Sequence, residues 1–192
     1  MNRIVRLIQD HLNLKVFLPL LAAALVSTWY GLFFSVNQFG AMTGGLSFID
    51  MQPWLTAESL FEQIRTYSPD TVSFYFGWSL FDYAWPLITF TTMLFISAWL
   101  LGFLREKWRQ RFWLFVASAT MTVLIDWAEN IGFVALILGL PEEPRWLAQL
   151  TLGLHAGKLV FNMVFNVLTW ILLLAVIIVA TKEKLHPGSN DR

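Results

Sequence analysis

Residues 112–140 have the sequence FWLFVASATMTVLIDWAENIGFVALILGL, in which Asp126 and Glu129 are the only ionisable residues. The hydrocarbon core of a bilayer is about 30 Å thick, and a helix needs about 20 mostly apolar residues to cross it. The run is long enough for such a helix. Its polar residues recur every three or four positions, which predicts that they share one helical face.

Three further apolar runs have a similar length. They cover residues 16–36, 81–104 and 147–181. The chain is 57% hydrophobic and 14% charged, whereas an average soluble domain is about 45–50% apolar and about 25% charged. The sequence therefore predicts an all-α, polytopic membrane protein, with residues 1–192 forming one membrane domain and one four-transmembrane-helix bundle.

The basic residues predict the orientation, because Lys and Arg near span ends are retained in the cytoplasm. They concentrate in the N-terminal segment, between the second and third runs, and in the tail: Arg3, Arg6, Lys15, Arg105, Lys107, Arg109, Arg111, Lys182, Lys184 and Arg192. The opposite side carries only Arg65 and Arg145. We therefore expect both termini to be cytoplasmic. The first run is too long for a secretory signal and lacks a small-residue cleavage site, so we expect it to remain as a helix.

The first outer connection predicts a short amphipathic helix at residues 56–67. Thr56 is a plausible N-cap, because its hydroxyl can accept from a free backbone N–H of the first turn. Leu60, Phe61, Ile64 and Tyr67 then share one face. We expect this helix to lie on the outer surface as a lid or an interfacial anchor, with a substrate gate as the alternative.

Composition excludes several functions. The net charge is zero, so the chain offers no basic face to nucleic acid. The absence of Cys excludes thiolate zinc sites, iron–sulfur clusters and a Cys nucleophile. Only His155 lies in a predicted span, too few for a diheme cytochrome or a membrane zinc hydrolase. Lys158 would compete with a cation for the nearby oxygen ligands, so we predict no metal and no cofactor.

Three of the predicted spans carry a polar stripe. Those residues are Ser79, Asp82, Pro86, Thr89, Met93 and Ser97 in the second span; Ser118, Thr122, Asp126, Glu129 and Asn130 in the third; and His155, Lys158, Asn162, Asn166 and Thr169 in the fourth. The first span has small residues at four-residue spacing instead, namely Ala23, Ser27, Gly31 and Ser35. Charged side chains are costly in lipid and usually face a protein interior. We expect these faces to converge.

The stripes supply the candidate site residues. We assign Asp82, Asp126, Glu129 and Lys158 to catalysis, and the ligand-binding candidates are Asn130, His155, Asn162 and Trp127. Three carboxylates around one ammonium should titrate as a coupled set, an arrangement that suits general acid–base chemistry. Alternatively, the ion pairs only fix helix register, His155 is a hydrogen-bonded interior histidine, and Trp127 packs against lipid.

Three functions remain open at this stage. The first is binding a lipid-like or isoprenoid-like small molecule, or acting on it by acid–base chemistry. The second is an accessory or assembly subunit of a larger membrane complex with a purely structural ion cluster. The third is a proton-coupled transporter, which with four helices would have to dimerise. Expected partners are membrane lipids, an apolar small molecule, and further copies or a larger complex. Whether a reaction is catalysed stays open.

The motifs Phe81-Asp82-Tyr83-Ala84-Trp85-Pro86 and Asp126-x-x-Glu129-Asn130, with Lys158, resemble a family of small bacterial four-helix membrane proteins of unassigned activity. The resemblance covers residues 56–179 and implies a prokaryotic inner membrane. A weaker similarity in architecture relates the chain to the emopamil-binding and sigma-2 receptor group, whose members isomerise sterols or bind amphiphilic cations. The acids here have other spacings and face an intramembrane Lys158, so that sterol chemistry is not carried over.

Overall fold

A computed structural model describes residues 14–185 of the chain. Those residues form helices and connections and contain no β-strand. Arg3, Arg6 and Arg192, which contribute to the predicted orientation, lie outside the described residues. We call the end of the bundle that holds the connection between the first two spans the outer end, following that prediction.

Seven α-helices and two short irregular turns make up the described fold. The α-helices are α1 (Leu14–Trp29), α2 (Val36–Thr43), α3 (Ala57–Arg65), α4 (Pro69–Leu101), α5 (Glu106–Arg109), α6 (Phe112–Leu138) and α7 (Arg145–Leu185). A π-helical turn, Tyr30–Ser35, joins α1 to α2, and a 3-10 turn covers Ile49–Met51. Four stretches are long and apolar enough to cross a membrane: Lys15–Thr43, Pro69–Leu101, Glu106–Leu138 and Arg145–Lys182.

The second span begins well before the predicted residue 81. Ser68 accepts a hydrogen bond from the backbone N–H of Thr71 at 3.1 Å, and Pro69 occupies the first turn, where its missing N–H costs nothing. These capping signals start α4 about three turns earlier than hydropathy alone indicates. Asp82 is therefore about 20 Å inside the helix, at 1.5 Å per residue, and can reach the acids of α6.

The first span packs mainly on α4. An added Cβ on Gly31 would lie 3.1 Å from the Phe81 ring, so glycine permits a close approach of the two helices here. Gly31 and Ser35 are buried, as the small-residue pattern predicts. The pattern is wrong at Ala23, which is exposed, because the helix turns the neighbouring Ala24 inward instead.

The outer connection folds over the bundle as an outer lid, which we define as residues 46–67. Thr56 and Ser59 form the reciprocal cap of α3, which confirms the predicted N-cap. Leu60 and Ile64 are fully buried in an aromatic core that also contains Phe48 and Phe133. Of the predicted alternatives, this packing favours a lid over a helix that floats on a membrane surface.

Ion pairs attach the lid to the connection between α6 and α7 and to the first residue of α7. Arg65 binds Glu143 through two nitrogens, and one of these contacts, Nη2 to Oε2, measures 2.6 Å. Arg145 lies 3.5 Å from Glu58. These charges are largely exposed, where each pair contributes little to stability. The buried apolar face of α3 is therefore the main attachment.

Candidate functional site

Lys158 joins α7 to two acids of α6. Its Nζ lies 3.0 Å from Asp126 Oδ1, 3.0 Å from Glu129 Oε1 and 2.8 Å from Glu129 Oε2. Asp126 and Glu129 are three residues apart, so both face α7. The structure therefore brings these three predicted residues together.

His155 lies one turn before Lys158 and contacts the same acid. Its Nδ1 is 2.8 Å from Glu129 Oε1, and both side chains are buried. Glu129 has no exposed surface and is held between His155 and Lys158. The contact agrees with the predicted alternative that His155 is a hydrogen-bonded interior histidine. Glu129 is enclosed by its two partners and has no surface open to a ligand.

Asp82 of α4 binds α6 through an amide. Asn130 Nδ2 donates to Asp82 Oδ2 at 2.9 Å, and both residues are buried. Asn130 follows Glu129 directly, so α6 presents an ion pair to α7 and an amide to α4. The polar residues of three helices therefore converge inside the bundle, as the stripes predict.

A cavity of about 330 Å³ lies beside this cluster, between α4, α6 and α7. Asp82, Asp126 and Lys158 form its polar wall, together with Asp50 of the outer lid. Its volume falls within the range of about 300–1,000 Å³ that is typical of small-molecule sites. The geometry thus places carboxylates and one ammonium around a space large enough for a small ligand.

The rest of the cavity is mostly apolar and reaches the outside of the bundle. Its apolar walls are Trp85, Pro86, Phe90, Met93, Leu159 and Phe165. Asn162 and Asn166 also line it, and Asn166 donates to Asn162 Oδ1 at 3.0 Å. Leu159 and Asn166 are exposed on the outer surface of α7. The cavity therefore opens sideways between α4 and α7.

Asp50 is a cavity residue that the sequence analysis did not select. It lies in the 3-10 turn of the lid, is buried, and accepts a hydrogen bond from Trp78 Nε1 at 2.9 Å. Burial raises the pKa of its carboxyl, and Lys158 and the Trp78 bond offset part of the rise. The apolar residues Phe48 and Ile49 before it were the available signal, because they predict that the turn is drawn into the core.

Trp127 lies away from the cluster. Its Nε1 donates to the Tyr83 carbonyl at 3.0 Å, and its ring lines a separate apolar groove between α4 and α6. It follows Asp126 by one position, which rotates it about 100° around the helix. The structure thus brings all the predicted site residues together except Trp127.

Two buried carboxylate oxygens beside the cavity have no hydrogen-bond partner among the described residues. They are Asp126 Oδ2 and Asp50 Oδ1. A buried polar atom without a partner costs about 1–3 kcal/mol, so native proteins pair most of them. Asp50 and Asp126 both line the cavity, so a molecule there that donates hydrogen bonds would suit these carboxyls. The described residues contain no group of three or more His, Cys, Asp or Glu side chains that could hold a metal ion.

Comparison with known proteins gives no relative. No protein family, no curated protein and no solved structure matches the chain. The fold and site define a bundle with four helices long and apolar enough to cross a membrane, which encloses a buried Asp/Glu/Lys/His cluster.

Proposed function

We propose that the protein is a multi-pass membrane protein that binds a lipid-like small molecule in the cavity between α4, α6 and α7. In this proposal the bundle lies in a prokaryotic inner membrane with both termini in the cytoplasm. The observation that carries the proposal is the cavity itself, which is mostly apolar but has Asp82, Asp126 and Lys158 in one wall. A ligand with a donor head and an apolar body complements both features.

The shape of the cavity supports a ligand that enters from the bilayer. Leu159 and Asn166 line it and are also exposed on the side of the bundle. An apolar chain would extend through this opening, while a hydroxyl or amine head would reach Asp126 and Asp82. A polar ligand from water would have to pass the outer lid, whose Phe48 and Ile49 are fully buried.

Acid–base chemistry on such a ligand is the second part of the proposal. Asp82 and Asp126 both line the cavity and differ in their partners, since Asn130 donates to one and Lys158 to the other. An ammonium stabilises the ionised form of its carboxylate more than a neutral amide does. Asp126 would therefore accept a proton from the ligand, and Asp82 is the candidate acid. Glu129 and His155 do not line the cavity, so His155 would act through Glu129, and Glu129 through Lys158.

The alternative, an accessory subunit, is favoured by one observation. Glu129 is held by Lys158 and His155 and does not line the cavity between α4, α6 and α7. An ion pair that only fixes the register of α6 and α7 would have this arrangement. In that case the protein would co-purify with a protein partner in fixed stoichiometry, and its bound lipid would not depend on Asp126.

The test is the lipid content of protein purified in a mild detergent, measured by mass spectrometry. We expect D126N, which keeps the size but loses the charge, to lower a specific co-purified amphiphile at least about fivefold, as a lost charge-assisted hydrogen bond would. L159W, which narrows the side opening, should lower it without changing charge.

D70N is the matched control, because Asp70 is exposed in the first turn of α4 and does not line the cavity. It should leave the lipid content unchanged. Equal lipid content in wild type, D126N and L159W would contradict the proposal, and a stoichiometric protein partner found in the same preparation would favour the accessory subunit.

A further inference from the structure

The end of the bundle opposite the outer lid, which we call the inner end, contains a second groove that shares no lining residue with the acidic cavity. The connection between α4 and α6 carries four basic side chains, Arg105, Lys107, Arg109 and Arg111, against Glu106 alone. A groove of about 140 Å³ lies beside this connection, and we call it the inner groove. Its lining includes Leu101, Trp108, Leu114, Leu168, Ile171 and a single charged residue, Arg111.

The basic side chains of the connection have different roles. Arg109 Nη2 donates to the Gly102 carbonyl at 2.7 Å, and its Nε donates to the Leu104 carbonyl at 3.3 Å. Arg109 therefore donates to backbone carbonyls that have no hydrogen-bond donor within the helix at the end of α4. Arg111 instead places its guanidinium 5.1 Å from the centre of the Trp108 ring, at the edge of the inner groove.

We propose that the inner groove binds an anionic phospholipid, with the phosphate on Arg111 and an acyl chain along α6 and α7. A guanidinium above an aromatic ring still presents N–H groups to an anion, and arginine matches phosphate geometry in a bidentate manner. Leu114, Leu168 and Ile171 continue from it as an apolar surface. The half-buried Trp108 fits the interfacial position that tryptophan prefers in membranes.

Charge and position favour an anionic lipid over a zwitterionic one. Basic side chains next to a span attract anionic lipids, and pockets between helices at this depth hold their head groups. The inference rests on the proposed insertion of the bundle in a membrane and not on the acid–base chemistry of the cavity. The two sites are formed by different parts of α6 and α7, so either can be removed without the other.

The test uses the full chain in nanodiscs of phosphatidylcholine, titrated with phosphatidylglycerol and followed by native mass spectrometry. We expect preferential retention of phosphatidylglycerol and an about fivefold weaker affinity in R111Q, as the loss of a direct charge-assisted hydrogen bond to the phosphate predicts. I171W, which fills the groove without a charge change, should weaken binding to a similar extent. Free glycerol 3-phosphate, which lacks the acyl chain, should not compete.

K107Q is the matched control, because Lys107 is an exposed basic residue of the same connection that does not line the groove. It removes the same charge and should weaken binding less than twofold. Equal losses in R111Q and K107Q, or competition by glycerol 3-phosphate, would overturn the inference in favour of general attraction or phosphate binding alone. Failure to enter nanodiscs would overturn the membrane proposal as well, whereas an inserted protein without lipid preference overturns only this inference.

Discussion

Lys158 holds the polar interior together at the scale of single residues. Its ammonium contacts carboxylates at two positions of α6, and Glu129 in turn contacts His155. A buried charge is stable only when it is paired and hydrogen-bonded, so each of these residues depends on the others. Close approach of α6 and α7 is the condition for these contacts.

Gly132 provides that approach one turn beyond Glu129, and its replacement is a direct test. An added Cβ would lie 2.2 Å from Thr151 Oγ1 and 2.9 Å from its Cγ2, so the two helices would have to separate. We expect G132A to lower the free energy of unfolding by about 1–3 kcal/mol, the usual cost of overpacking. Thermal unfolding in detergent measures it.

Gly153 is the control for this substitution, since a Cβ added there meets nothing within 4 Å. G153A should leave the midpoint temperature of thermal unfolding unchanged or raise it slightly, because alanine has a higher helix propensity than glycine. If G132A and G153A unfolded alike, the close packing of α6 on α7 would be contradicted.

Helical spacing explains which site residues the sequence could predict. Asp126, Glu129 and Asn130 share a face, as do His155, Lys158 and Asn162, because residues three or four apart lie on one side of a helix. Asp50 could not be found in this way, since its partner Trp78 is 28 positions away and on another element. Trp127 lies deep in its span, which makes it a candidate for a cavity wall, but it follows Asp126 by one position, and one position turns a side chain about 100° away.

At the scale of elements, the outer lid and the top of α4 form one packing unit. Phe48 stacks on Trp78 with ring centres 4.5 Å apart, and Trp78 also donates to Asp50. Gln63 donates to the Ser47 carbonyl at 2.8 Å, which fixes the start of the lid to α3. The lid therefore closes the outer end of the cavity through contacts that include one buried carboxyl.

The raised pKa of Asp50 predicts that this closure depends on pH. Burial raises the pKa of Asp50 above its ordinary value of 3.8, so the folded protein holds the proton more tightly than the unfolded chain. The contribution of protonated Asp50 to the stability of the folded state is complete below pH 3.8. It is lost as the pH rises through the raised pKa. We expect amide hydrogen exchange in residues 48–65, corrected for its intrinsic rate, to become faster across that window.

D50N removes the titrating group while keeping an oxygen for Trp78, so its lid should show no such pH dependence. D70N keeps Asp50 and should behave as the wild type. A D50N lid that opened with rising pH as the wild type does would assign the effect to another group.

At the scale of the whole molecule, the two ends of the bundle differ in chemistry. The outer end carries the lid with its ion pairs, and the inner end carries the basic connection around α5. α7 has 41 residues, about 60 Å at 1.5 Å per residue, and so exceeds the bilayer core of about 30 Å. Hydropathy is enough to predict the four long helices. The start of α4 depends in addition on a local cap, and the position of the lid depends on packing between residues far apart in the sequence.

The distribution of basic residues predicts the orientation of the molecule, and the absence of Cys from the chain makes it directly measurable. Trp54 is 91% exposed in the lid, and Lys107 is exposed in the basic connection. Since Lys and Arg near span ends stay in the cytoplasm, a membrane-impermeant maleimide should label W54C in intact cells and K107C only after permeabilisation. The unlabelled wild type is the control. Labelling of K107C alone in intact cells would invert the orientation, and labelling of both would contradict a sealed four-span arrangement.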